Sequence, residues 1–135
     1  MKKWNIEKTF SPKLPNEVLK EYADSLNQDS EGALSGSVVQ NISFDSEDRP
    51  RLFYSLHVVI NALKQPYRLF EIEQTTEDAY PVNLKVTLLT SSLTVNKIDS
   101  PESLDKNIAN LIDDPMVKNL MTHFMHLSKL KAAYK

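Results

Sequence analysis

Residues 51–63 read RLFYSLHVVINAL. Leu52, Tyr54, Leu56, Val58, Ile60 and Ala62 recur at every second position, which is the period of an extended strand with one buried face. Three neighbouring stretches carry the same phase. Leu34, Val38, Ile42 and Phe44 lie in a stretch from about Ala33 to Asp45. Phe70 and Ile72 lie in Tyr67–Thr75. Val82, Leu84, Val86 and Leu88 lie in a stretch from Val82 to Thr90, reaching toward Val95. The connections are Asp45–Pro50, Lys64–Pro66 and Thr75–Pro81, rich in turn residues and too short for parallel crossovers. The expected sheet is therefore a four-stranded antiparallel meander.

The shared phase constrains the register. If even-numbered positions face one side in every strand, paired residue numbers sum to an even number, because a slip of one would turn the apolar groups outward. A hairpin closing Leu63 on Tyr67 then sets Val59 opposite Glu71 and His57 opposite Glu73. Ile72 opposite Leu84 sets Glu71 opposite Lys85, an acid facing a base. Closing Asp45 on Arg51 sets Val39 opposite His57.

Helical periodicity flanks these strands. Val18, Leu19, Tyr22, Ala23 and Leu26 form a stripe from Pro15 to Gln28, with Gly32 and Gly36 after it. Ser100-Pro101-Glu102 and Asp114-Pro115 each supply a cap followed by proline. Leu104, Ile108, Leu111 and Ile112 form the stripe after the first cap, and Met116, Val117, Leu120, Met121, Phe124 and Leu127 the stripe after the second. Three apolar helices and one apolar sheet face predict an α+β two-layer sandwich spanning 1–135 as a single domain, with one N-terminal and two C-terminal helices on one face. Trp4, Ile6 and Phe10 alternate with polar residues and make a candidate fifth, N-terminal strand.

Composition narrows the function classes. The 135 residues contain 16 Lys+Arg and 18 Asp+Glu, a formal net charge of -2, which argues against a nucleic-acid partner. The absence of cysteine removes disulfides, thiolate nucleophiles, iron–sulfur clusters and cysteine zinc sites. No apolar run is long enough to span a bilayer, and no apolar core follows Lys2-Lys3 to make a secretion signal. The cytoplasm is the expected location, with no membrane partner and no cofactor.

The odd-numbered face is expected to be open, and it is incompletely polar. Val39, Phe53, Val59, Tyr67, Leu69 and Leu89 stand among His57, Glu71, Glu73 and smaller polar groups. Such a mixture is what a protein-contact surface carries. We take Val39, Phe53, His57, Val59, Tyr67, Leu69, Glu71, Glu73 and Leu89 as the candidate protein-binding residues. The stretch before Val39 holds Ser35, Gly36 and Ser37, so the first strand is an edge with little protection, open to strand addition by another chain or to homodimer formation.

Catalytic readings are weaker. His57 oriented by Glu73 could act as a general base, but no nucleophile stands in a G-x-S-x-G setting. His123 and His126 are neighbours on one helix without the H-E-x-x-H pattern. The expectation is a non-catalytic protein-binding module, of an immunity or antitoxin type or chaperone-like. An acidic patch would suit a basic toxin, and a long apolar groove an unfolded client. The alternative is a small ligand-binding protein or enzyme with a pocket between sheet and helices, for which Tyr54 and Gln40 are the polar groups on the even face.

Overall fold

The computed structural model describes Trp4, residues 13–87 and residues 94–133. The element order is α1 (Pro15–Asp29), β1 (Leu34–Phe44), β2 (Pro50–Ile60), β3 (Gln65–Thr75), β4 (Val82–Val86), β5 (Thr94–Ile98), α2 (Pro101–Ile112) and α3 (Pro115–Ala133). The strands form one antiparallel sheet in the order β1-β2-β3-β4-β5, and the helices cover one side. This is the expected α+β sandwich, with one difference in the strands. The fifth strand is Thr94–Ile98, hydrogen-bonded to β4, rather than a continuation of the fourth. The candidate N-terminal strand Trp4–Phe10 lies outside the described residues, apart from Trp4.

Each helix begins as its sequence dictates. Pro15, Pro101 and Pro115 occupy first turns, where a missing N–H has no helical acceptor to lose. The Ser100 hydroxyl accepts from Ser103 N–H at 3.1 Å, and the Asp114 carboxylate accepts from Met116 N–H at 2.9 Å. α1 ends where Glu31 and Gly32 both take positive φ, and Gly32 N–H returns to Asn27 C=O at 2.8 Å.

The even-numbered face forms the core. Leu34, Leu56, Val58, Ile60, Phe70, Ile72, Val82, Leu84 and Val86 are buried against Val18, Leu19 and Ala23 of α1, Leu104 and Ile108 of α2, and Phe124 of α3. α1 lies directly over β1. A Cβ built on Gly36 would come within 2.6 Å of the Ala23 backbone, so only glycine permits this approach.

The registers agree with the expectation in one hairpin and depart from it in two. Ile72 pairs with Leu84 and Glu71 with Lys85, as the charge pairing predicts. In the first hairpin Val39 lies opposite Ser55, not His57. The ladder closes at Phe44 and Pro50, one residue earlier on each strand than Asp45 on Arg51. The turn Asp45–Arg49 has its own closure, with Asp45 N–H bonded to Arg49 C=O and Asp48 at positive φ. This shift of two in the sum keeps every side chain on its expected face.

The second hairpin breaks the parity rule. Its loop holds four residues, 61–64, with Lys64 at positive φ, so Ile60 pairs with Gln65 and the sums beside the loop are odd. A register shift between Leu56 and His57 leaves Leu69 as an extra residue on β3, and beyond it the sums become even again. The bulge undoes the inversion that the even-length loop introduces. Between loop and bulge, β3 shows its odd residues to the helices.

Candidate functional site

The uncovered side of the sheet can be followed in rows across the strands. Ser35 lies beside Val59 and Pro66, and Ser37 beside His57 and Arg68. Val39 lies beside Ser55, Glu71, Lys85 and Thr94, and Asn41 beside Phe53, Glu73 and Asn83. The four-residue loop and the bulge together move two candidate residues off this face. Tyr67 pairs with Val58 on the helical side and stacks on Phe124, with ring centroids 5.0 Å apart. Leu69 is 3% exposed and belongs to the core. Arg68 takes the open-face position between them. Leu89 lies outside the described residues. Of the expected apolar contacts, the described open face retains Val39, Phe53 and Val59.

His57 and Glu73 are not brought together. His57 faces Ser37 and Arg68, while Glu73 faces Phe53 and Asn83. Each acid on this face is held by an arginine. Arg51 donates to Glu73 Oε1 through Nε at 3.0 Å and Nη2 at 2.8 Å. Arg68 donates to Glu71 Oε2 at 3.1 Å, and the Ser55 hydroxyl reaches the same oxygen at 3.4 Å. Among the described residues the imidazole thus has no carboxylate to orient it. With Lys85 opposite Glu71, three cations answer the two acids, so the face is neither an acidic patch nor an apolar groove.

The exposed apolar groups concentrate elsewhere, at the tip of the β1–β2 hairpin. Ile42 is 53% exposed and Phe44 65%, both on the side of the sheet that the helices cover further along. Leu52, half-buried, lies opposite Ile42. The cause is a mismatch of lengths. A 15-residue helix spans about 22 Å, and an 11-residue strand about 36 Å. Since α1 meets β1 with its C-terminal end near Leu34, the far end of the strand extends beyond the helix. The sequence signal was available in those two lengths; the alternation alone hides it, because it places Ile42 and Phe44 in the core phase.

The outer edge of β1 is the second feature. Ala33 C=O accepts from Asn61 N–H on the β2 side, so the even-numbered residues of β1 direct their N–H and C=O groups away from the sheet. At the start of the strand these groups are satisfied. Leu34 N–H donates to the Ser30 hydroxyl at 2.9 Å, and Leu34 C=O accepts from Ser30 and from Asn27 Nδ2. Near its end Ile42 N–H donates to the Asn41 side chain at 2.9 Å. Between them, among the described residues, no protein group meets the outward N–H and C=O of Gly36, Val38 or Gln40. A groove of about 370 Å³ runs along this edge under α1. Asn16, Lys20 and Asp24 form its helical wall, and Val38, Gln40 and Tyr54 line the sheet side. Tyr54 and Gln40 thus share one lining, as the ligand-pocket alternative requires, but the groove is open along the strand rather than enclosed.

His123 and His126 are both exposed on α3, and among the described residues no group of three His, Asp or Glu is placed to hold a metal. Among the same residues no helix is long and apolar enough to cross a membrane. No protein family, curated protein or solved structure matches this chain.

Proposed function

We propose that this chain is a non-catalytic protein-binding module of the cytoplasm that takes an extended segment of another polypeptide along β1. The observation that carries this reading is the edge itself. Eleven residues, LSGSVVQNISF, contain no charged side chain and no proline, the usual guards of an edge strand. Their outward backbone groups offer a ready ladder, and the groove above them accepts alternate side chains of an added strand. Val39, Phe53, His57 and Val59, with the arginine-held Glu71 and Glu73, extend the contact onto the open face.

A chaperone-like role fits better than an immunity role. Arg51, Arg68 and Lys85 offset the acids of the open face, so it offers no negative field to steer a basic toxin. Main-chain pairing, by contrast, is indifferent to client sequence.

The test uses a carboxymethylated, permanently unfolded polypeptide carrying a fluorophore, followed by anisotropy. Wild type is expected to bind it, and Gln40→Pro to bind at least tenfold more weakly, since one ladder donor is lost. No binding by wild type would overturn the reading.

A further inference from the structure

We infer that a second copy of this chain occupies the β1 edge, pairing antiparallel about a two-fold axis near Gln40 and making one ten-stranded sheet from two subunits. The inference rests on the reading of β1 as a strand-accepting edge: the second copy fills that edge at rest, and an unfolded client binds by displacing it.

Three observations point to self-pairing. In a two-fold antiparallel pair, a charged residue near the axis is set beside its own copy, and β1 has no such charge to repel. The groups left without protein partners among the described residues, at Gly36, Val38 and Gln40, all lie within the Gly36–Phe44 span that a ladder centred on Gln40 uses. Leu34 is already bonded within the chain, while Ile42 N–H, held only by the exposed Asn41 side chain, exchanges that bond for the C=O of the partner's Val38.

The third observation is complementarity of shape. One half of β1 has a groove beside it under α1, and the other half carries uncovered Ile42 and Phe44. With Gln40 opposite the partner's Gln40, Ile42 lies opposite the partner's Val38 and Phe44 opposite the partner's Gly36. Side chains opposite one another share a face. The overhanging apolar groups of each copy therefore enter the groove of the other, beside Ala23 and Lys20 on its helical wall. Each subunit supplies what the other lacks, twice over, as an isologous interface requires. The open faces then join into one surface across both copies.

Light scattering in line with gel filtration tests this. Wild type is expected at twice the single-chain mass of 15.4 kDa across micromolar concentrations. Gln40→Pro removes an outward N–H without touching the β1–β2 ladder. Ile42→Lys, a second and independent variant, puts a cation into the partner's groove. Both are expected to run at the single-chain mass with the circular dichroism of a folded α+β protein, and to raise the dimer Kd at least tenfold.

A single-chain mass for wild type overturns the inference, as does a dimer that survives both variants. The functional reading fails separately. A wild-type monomer that binds the unfolded polypeptide keeps that reading and loses the dimer. A dimer that dissociates in both variants, with no polypeptide bound by dimer or monomer, keeps the self-pairing and loses the function.

Discussion

The two ends of β1 share an alternating sequence and differ in what lies above them. At its start Leu34 is 1% exposed, its backbone is tied to Ser30 and Asn27, and Gly36 presses on Ala23. At its end Phe44, in the same phase, is 65% exposed. Alternation thus says which way a side chain points, and the length of the neighbouring helix says whether anything is there to meet it. The first end belongs to folding. The second is free for association.

Substitutions along the strand separate these roles. Each is best measured in the Gln40→Pro background, so that self-association does not add to apparent stability. The largest loss is expected for Leu34→Ala, about 3 kcal/mol in urea unfolding, because a buried leucine is removed beneath a helix. A value under about 1 kcal/mol would show that the covered end is as soft as the tip. Gly36→Val follows at about 2 kcal/mol, since the helix must rise to admit the new side chain. Ser30→Ala should cost about 1 kcal/mol, leaving Leu34 N–H without its buried acceptor.

Alkaline pH probes how α1 is fastened beside the two ends. The Tyr80 hydroxyl donates to Lys13 C=O, and burial, then Glu102 and Glu17, push its pKa up to about 12. Tyr22 is raised too, by burial and by its bond to Asp105 on α2. Both are raised above the unfolded value, so their contribution is complete below about pH 10 and is lost as pH rises toward the folded value. Stability is expected to fall over that interval, and Tyr22→Phe with Tyr80→Phe to flatten the fall. An unchanged slope in the double variant would detach these hydroxyls from the stability of α1. The smallest effect belongs to the tip. Phe44→Ala should change unfolding by no more than about 0.5 kcal/mol, while weakening the dimer of the otherwise wild-type chain.

Much of the fold can be read from residue types. The core phase of Leu56, Val58 and Ile60, and of Val82, Leu84 and Val86, follows from alternation. The β3–β4 register follows from Glu71 and Lys85, because the pairing that joins them is also the one that aligns the apolar groups. The β2–β3 register does not. Lys64 takes a left-handed conformation with no glycine or asparagine at that position to announce it, and one extra residue at Leu69 then reverses the effect. Tyr67 and Leu69 therefore read as open-face groups although they face helices. Ile42 and Phe44 read as core although they stand largely exposed beyond the described helices, because local pattern carries no information about where a distant helix stops. The candidate surface was accordingly legible in its polar members and at its edge, and misplaced in its most apolar ones.

The bulge at Leu69 also makes one stretch of β3 tolerant of a lost residue. Tyr67 reaches Phe124 because the four-residue loop sets it opposite Val58, and Phe70 and Ile72 keep the same side because Leu69 is left over between them. Deleting Leu69 would leave one residue of each strand on every rung, with Tyr67 still opposite Val58, so the C-terminal helix would keep its aromatic contact. Deleting Glu73, where the ladder has no spare residue, would instead turn Gln74 and Thr75 onto opposite faces.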